Sequence, residues 1–152
     1  MKRVIQSFIL ALPLCLVIAA SATAGELEDK FIKAAGDGNV DVMLALMEKG
    51  VDVNAKDDFG LTALIRAAMR GHKDVVRALL EKGADVNAKN FVDTTALMQA
   101  AGSGHTDVVR VLIDKGADVN AKNALGMTAL DIAEENNHGD IARLLKEAGA
   151  NR

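Results

Sequence analysis

Apolar residues in the middle of the chain follow the spacing of short amphipathic helices. Thr62 fits the N-cap of a helix over residues 63–70, and Gly71 breaks that helix. A second helix is predicted to open at Asp74, because valine and leucine pairs then recur four residues apart until Gly83 closes it. The residues that follow are rich in Gly, Asn and Asp, which predicts a loop with a turn at its tip.

The same pattern returns every 33 residues. Residues 57–89 and 90–122 are identical at 20 of 33 positions without a gap. Other positions that recur at this step are Gly50, Gly83, Gly116 and Gly149; Val42, Val75, Val108 and Ile141; and His72, His105 and His138. The chain is therefore predicted to stack copies of one helical unit, each burying its apolar face on the next.

The unit resembles the ankyrin repeat, whose period is 33 residues. Residues 60–89 carry the family's Gly-x-Thr-x-Leu start, Gly-His break, Val-Val-x-x-Leu-Leu stripe and Gly-Ala-Asp-Val-Asn-Ala end. The resemblance covers about residues 26–152 and implies an all-α solenoid of four helix-turn-helix units with β-turn loop tips, capped at both ends. The expected repeats are 26–56, 57–89, 90–122 and 123–152.

Two departures from the family's pattern affect local structure. The family has Thr-Pro-Leu-His, whereas this chain has Thr-Ala-Leu at residues 62–64, 95–97 and 128–130. Alanine is the best helix former, so the helices should survive at a cost of about a few tenths of a kcal/mol per site. Asp93 replaces the turn glycine found at Gly60 and in the last repeat, and Asp tolerates a left-handed backbone, so we expect the loop to be kept in a somewhat altered shape.

The end repeats are expected to act as caps, because each has a neighbour on one side only and needs a polar outer face. The last repeat has Glu-Glu-Asn-Asn at 134–137, where the second has Ala-Met-Arg-Gly at 68–71. The first repeat lacks the Gly-x-Thr start and has several charged residues within 26–30.

Residues 1–24 are predicted to be a cleaved export signal, which leaves residues 25–152 as the ankyrin-repeat domain. Lys2 and Arg3 precede an apolar run of 13 residues at 8–20. A membrane-spanning helix needs about 20 residues, whereas a signal core needs about 7 to 15. Ala-Thr-Ala at 22–24 fits cleavage before Gly25.

Two other fates of this segment are less favoured. An uncleaved membrane anchor is the first, and the short apolar run argues against it. Lipid attachment at Cys15 is the second, and Leu14 stands where a lipoprotein signal has a small residue. The expected location is the periplasm, with secretion to the exterior as the alternative, and no stable membrane anchor after cleavage.

Composition excludes several classes of function. Removing Lys2 and Arg3 with the signal changes 18 basic residues against 21 acidic ones into 16 against 21, a net charge of −5. Such a chain lacks the clustered cations that nucleic-acid binding needs, so we expect no nucleic-acid partner. The mature chain has no Cys, which excludes disulfides and thiol catalysis.

The candidate chemical groups are periodic, which favours structural roles. Equivalent histidines of stacked units lie about 8 to 10 Å apart, too far to share a zinc ion, so we interpret them as turn residues. The ladders Asp52, Asp85, Asp118 and Asn54, Asn87, Asn120 are interpreted as loop-stabilising groups, the asparagines bonding local backbone. We expect no catalytic residue, cofactor or metal; an enzyme with an unrecognised site is the least favoured function.

Residues that do not repeat predict a protein-binding surface. The resemblance implies that recognition residues lie on the loop tips and the adjacent face of each first helix. The expected partner-binding residues are Lys56, Asp58, Phe59, Leu61, Met69, Arg70, Lys89, Phe91, Val92, Thr94, Ser103, Lys122, Leu125 and Met127.

Six of these residues form an apolar ladder along the tips, where polar side chains would be expected, namely Phe59, Leu61, Phe91, Val92, Leu125 and Met127. Exposed apolar surface bordered by charge indicates a protein partner. The alternative is that the tips pack on one another and stiffen the loops. Phe31 falls at the position of Leu64 and Leu97 and is expected in the core.

The sequence therefore predicts a monomeric, non-catalytic module that docks a folded exported protein on its tips and concave face. Such a module would modulate its partner as an inhibitor, an immunity factor or an assistant. A structural or self-associating scaffold is the alternative. The partner's identity does not follow from the sequence.

Overall fold

The computed structural model describes residues 25–151, in which eight helices are arranged as four helix-turn-helix pairs. The predicted signal and its cleavage site before Gly25 lie outside the described residues or at their edge. The helices are α1 (25–36), α2 (Val40–Glu48), α3 (Ala63–Arg70), α4 (Lys73–Glu81), α5 (Ala96–Ser103), α6 (Thr106–Asp114), α7 (Ala129–Glu135) and α8 (Gly139–Glu147). The prediction of an all-helical solenoid is confirmed.

Buried threonines start the first helix of the last three pairs. The hydroxyl of Thr62 accepts the N–H of Ile65 at 3.2 Å, and Thr95 makes the equivalent bond, so the predicted N-cap is confirmed. Thr128 forms a capping box with Asp131. The second helix of the unit begins at Lys73, one residue before the predicted start, because His72 occupies the N-cap position.

Residues with a left-handed backbone conformation end several helices and turns. Asp93 has a φ of 58°, so it adopts the conformation predicted for a residue replacing glycine. Asn137, at the position of Gly71, does the same with a φ of 60°. Asparagine and aspartate tolerate this region better than most residues, which is why both turns keep their form without glycine.

One continuous apolar core runs through all four pairs. The first helices α3, α5 and α7 contact in sequence, and α4, α6 and α8 form a second row behind them. Alanines occupy much of the interior of the first row, and Ala67, Ala68, Ala100 and Ala101 are fully buried. Phe31 is fully buried at the other end of the stack, as predicted. Within residues 25–151 no helix is long and apolar enough to cross a membrane.

Asparagine side chains join consecutive repeats. The Oδ1 atom of Asn54 accepts the N–H of Asp85 at 2.8 Å, and Asn87 accepts the N–H of Asp118 in the same way. The prediction that these asparagines bond local backbone was wrong, because their acceptors reach the next repeat. The aspartates do act locally, since Oδ1 of Asp85 accepts the N–H of Asn87 at 2.9 Å.

The three histidines also bridge repeats. Nε2 of His72, His105 and His138 lies 2.9 to 3.1 Å from a backbone carbonyl of the preceding repeat. A carbonyl can only accept, so each Nε2 carries the hydrogen. The ring of His105 lies so close to Gly71 that a Cβ there would be 2.6 Å from Nδ1. The histidines are turn residues, as predicted, and in addition they fasten each turn to the one before.

We expect Gly71→Ala to destabilise the protein more than Gly83→Ala. Both glycines have positive φ, but a Cβ at Gly83 meets nothing within 4 Å, whereas one at Gly71 would displace His105. The backbone strain is similar, and the added crowding should cost Gly71→Ala about 1–3 kcal/mol more. Urea unfolding measures the difference. Equal losses in the two variants would show that the histidine contact contributes no stability.

Candidate binding surface

Each loop tip is a β-turn closed by the side chain of its first residue. In the 57–61 tip, the N–H of Gly60 donates to the Asp57 carbonyl at 2.9 Å. The Asp57 side chain accepts the N–H groups of Phe59 and Leu61, both at 2.9 Å. Asn90 and Asn123 make the same pairs of bonds in the 90–94 and 123–127 tips. The β-turn tips are therefore present as predicted, and their backbones are fixed.

Four apolar side chains project from these turns into solvent. Phe59 is 71 % exposed, Phe91 73 %, Val92 56 % and Leu125 82 %. Among the described residues, Val42 is the one other large apolar side chain with comparable exposure, at 45 % on α2. We call Phe59, Phe91, Val92 and Leu125 the apolar tip row.

The tips also contact each other, as the alternative interpretation of the sequence predicted. The Phe91 ring lies against Gly60, where a Cβ would be 2.7 Å from its Cδ1 atom. The N–H of Ala124 donates to the Val92 carbonyl at 3.1 Å. One face of the Phe91 ring thus stiffens the loops while most of the ring stays exposed.

The other predicted binding residues differ in their exposure. Leu61 is half-buried and packs against the core, and Thr94 and Met127 are half-buried at the equivalent positions of their tips. Arg70 and Ser103 are exposed near the ends of α3 and α5. Two more positions from the same predicted set are Met69, which is half-buried, and Asp58, which is exposed.

The predicted lysine ladder has a structural role that the sequence did not indicate. Nζ of Lys56 donates to the carbonyl of Lys89 at 2.9 Å, and Nζ of Lys89 donates to the carbonyl of Lys122 at 3.3 Å. These two ammonium groups therefore lie along the solenoid and link repeats. Lys122 is exposed at the end of this ladder.

An ion pair under the 57–61 tip was missed by the sequence analysis. Nη2 of Arg66 donates to Oδ2 of Asp57 at 2.7 Å, and the two side chains are 30 % and 10 % exposed. Equivalent positions hold Asn90 with Gln99 and Asn123 with Ile132, so this repeat alone has opposite charges there. This difference between the repeats is the feature of the sequence that could have indicated the ion pair.

Burial of Asp57 favours its neutral form and raises its pKa, but other contacts outweigh this effect. The N–H of Leu61, the Arg66 guanidinium and the N–H of Phe59 all stabilise the carboxylate and leave its pKa below the usual value. Asp57 is therefore ionised at neutral pH.

A cavity of about 400 Å³ opens beside Phe59, between this tip and the first repeat. The Asp57–Arg66 pair and Arg70 line one side, and α1 forms the other. On α1 the ammonium of Lys33 is 2.8 Å from Oδ2 of Asp37, so a second ion pair lines the cavity.

Comparison with known families identifies the architecture. A family model described as ankyrin repeats (3 copies) matches residues 28–90 and again residues 88–151. The chain belongs to the ankyrin-repeat family. No individual curated protein matches the chain.

Ankyrin repeats are in general non-enzymatic protein–protein interaction modules, which agrees with the exposed apolar tips of this ankyrin-repeat protein. In the part of the chain that the structure describes, no group of three or more His, Cys, Asp or Glu side chains could hold a metal ion.

We expect Asp57→Asn to be less stable than the unmodified protein at neutral pH, and we expect this difference to shrink in acid. The folded-state pKa of Asp57 lies below its ordinary value of 3.8. Its contribution is therefore complete above that value and disappears as the pH falls through the folded-state pKa. Asparagine can still accept the N–H groups of the turn, as Asn90 does, so the variant lacks only the ion pair. Its deficit of about 1–2 kcal/mol at neutral pH should therefore shrink as acid breaks that pair in the unmodified protein.

Urea unfolding at neutral pH and at successively lower pH measures this convergence. Asp85→Asn is the control, because Asp85 caps a loop in the same way but forms no ion pair among the described residues. A deficit in Asp57→Asn that is the same at every pH would contradict the assignment.

Proposed function

We propose that this ankyrin-repeat protein is exported and binds a folded protein partner, whose activity it modulates, through the apolar tip row and the neighbouring face of α3, α5 and α7. The observation that carries the proposal is the exposure of two phenylalanines and two aliphatic side chains on turns whose backbones are already hydrogen-bonded. The backbones of such turns lose little conformational freedom on binding, so more of the buried area contributes to affinity.

The distribution of apolar residues supports this choice of surface. Apart from Val42, the large apolar side chains elsewhere in the described chain are buried or half-buried, whereas the tip row places aromatic and aliphatic groups side by side over three repeats. Interfaces depend on a few aromatic anchors surrounded by less critical contacts. Phe59 and Phe91 fit the anchors, and Asp58, Arg70 and Ser103 fit the polar surroundings.

We expect the double variant Phe59→Ser/Phe91→Ser to lose about 30-fold or more of its affinity for the partner, because each anchor would lose its buried ring. The partner is first captured with a photo-crosslinking residue at Leu125, which leaves both phenylalanines intact, and is then purified for titration.

Val42→Ser is the matched control, since Val42 is exposed but lies on α2, away from the tips. It should change the affinity by less than about twofold. Unchanged affinity in the phenylalanine variant would exclude the tips as the docking surface. Capture of further copies of this chain alone, with a dimeric or larger mass in solution, would favour the self-associating scaffold.

Export is proposed from the predicted signal in residues 1–24. The protein recovered from the periplasmic fraction of an expressing bacterium should begin at Gly25, as read by N-terminal sequencing and mass. Leu12→Arg, which interrupts the apolar run, should leave the precursor uncleaved in the cell. A protein that keeps Met1 and stays in the cytosol or membrane would contradict the proposal.

A further inference from the structure

The 57–61 tip is supported differently from the tip that follows it. The 90–94 tip is held on both sides, because Phe91 lies on Gly60 and the Val92 carbonyl accepts the N–H of Ala124. The 57–61 tip has the Phe91 contact on one side only. On its other side lies the cavity, and no tip precedes α1 among the described residues.

Arg66 supplies support from beneath. Its side chain crosses from α3 over α1, where a Cβ on Gly36 would be 2.7 Å from Arg66 Cγ. Its guanidinium then reaches Oδ2 of Asp57, while Oδ1 of the same carboxylate accepts the N–H groups of Phe59 and Leu61. One carboxylate thus connects the helix to the turn that carries Phe59.

Stability of the fold does not by itself require an arginine at this position. Nε of Arg66 is buried without a hydrogen-bond partner, which costs free energy. The equivalent position of the last repeat holds Ile132, which packs against the core. A neutral or apolar residue is therefore accommodated there, and removing two charges from water offsets much of the attraction in a partly buried ion pair.

We propose that Arg66 is a positioning residue that fixes the 57–61 tip through Asp57 and holds Phe59 at the mouth of the cavity. Because Phe59 is then held in place before a partner arrives, Arg66 raises the affinity of the binding surface. The positioning stands on the geometry alone, and the contribution to affinity rests on the proposed function.

Amide hydrogen exchange in the free protein tests the positioning. In Arg66→Gln, which copies Gln99 of the next repeat, exchange at the amides of Phe59 and Leu61 should accelerate about fivefold or more. The amides of Val92 and Thr94, in the equivalent turn, should keep their rates and serve as an internal reference. Arg77→Gln is the control, since Arg77 is exposed on α4 and forms no ion pair with any residue of 25–151.

Asp57→Asn should accelerate the same two amides, and adding it to Arg66→Gln should bring no further change, because the two side chains act as one unit. If exchange accelerates equally in both turns, Arg66 contributes to the stability of the whole fold. If the rates are unchanged, Arg66 contributes neither to that stability nor to the position of the 57–61 tip. Either result overturns the proposal.

Affinity for the purified crosslinked protein tests the second part. Arg66→Gln should weaken binding about fivefold, and Arg77→Gln should not. Faster exchange with unchanged affinity would overturn the contribution to affinity and leave the positioning intact. Faster exchange, together with phenylalanine variants that bind normally, would overturn the proposed function instead.

Discussion

Contact between consecutive repeats is the constraint on which the rest of this protein depends. No single helix pair can bury its apolar face, so each must be covered by the next. The side-chain hydrogen bonds that join consecutive repeats follow the same period. Asn54 reaches Asp85, Lys56 reaches Lys89 and His72 reaches back to Gly36, at separations of 31, 33 and 36 residues. Buried alanines between the first helices let the units approach closely enough for these bonds to form.

This periodicity also determines where function can differ from one repeat to the next. A change at a ladder position disturbs two repeats, whereas a change at a tip is absorbed locally because the turn is closed by its own Asp or Asn. Phe59, Phe91 and Leu125 therefore vary on turns of the same form. Asp57 combines both properties, since it closes its own turn and also pairs with the helix below.

Local elements of this fold could be predicted from the sequence because their signals are local. Thr62 marked a helix start and Asp93 a left-handed turn, and both follow from the chemistry of one residue and its neighbours. The exposure of Phe59 and Phe91 followed from their place between turn-forming residues. The direction of Asn54 did not, because an asparagine in a loop bonds equally well to its own backbone and to the next repeat.

The Asp57–Arg66 pair could not be predicted from the sequence, for a related reason. Nine residues separate the two, and their contact depends on the tip folding back over α3. A comparison of equivalent positions would have singled out the pair, but only a structure shows that the carboxylate faces the helix and not solvent. Departures from a repeat indicate where to look, and three-dimensional contacts decide what they do.

The chain has four Phe and no Trp or Tyr. This shortage of aromatic residues follows from the same stacking constraint. The helices α3 and α5 pack on each other and carry fully buried alanines such as Ala67 and Ala100, so a ring between them would separate the units and break the ladders beside them. Phe31, in the first repeat, has a core position on the end unit of the stack. Elsewhere the tips are the positions where a ring leaves the spacing of the repeats unchanged. The packing that excludes aromatic side chains from the interior thus leaves them available as binding anchors at the surface.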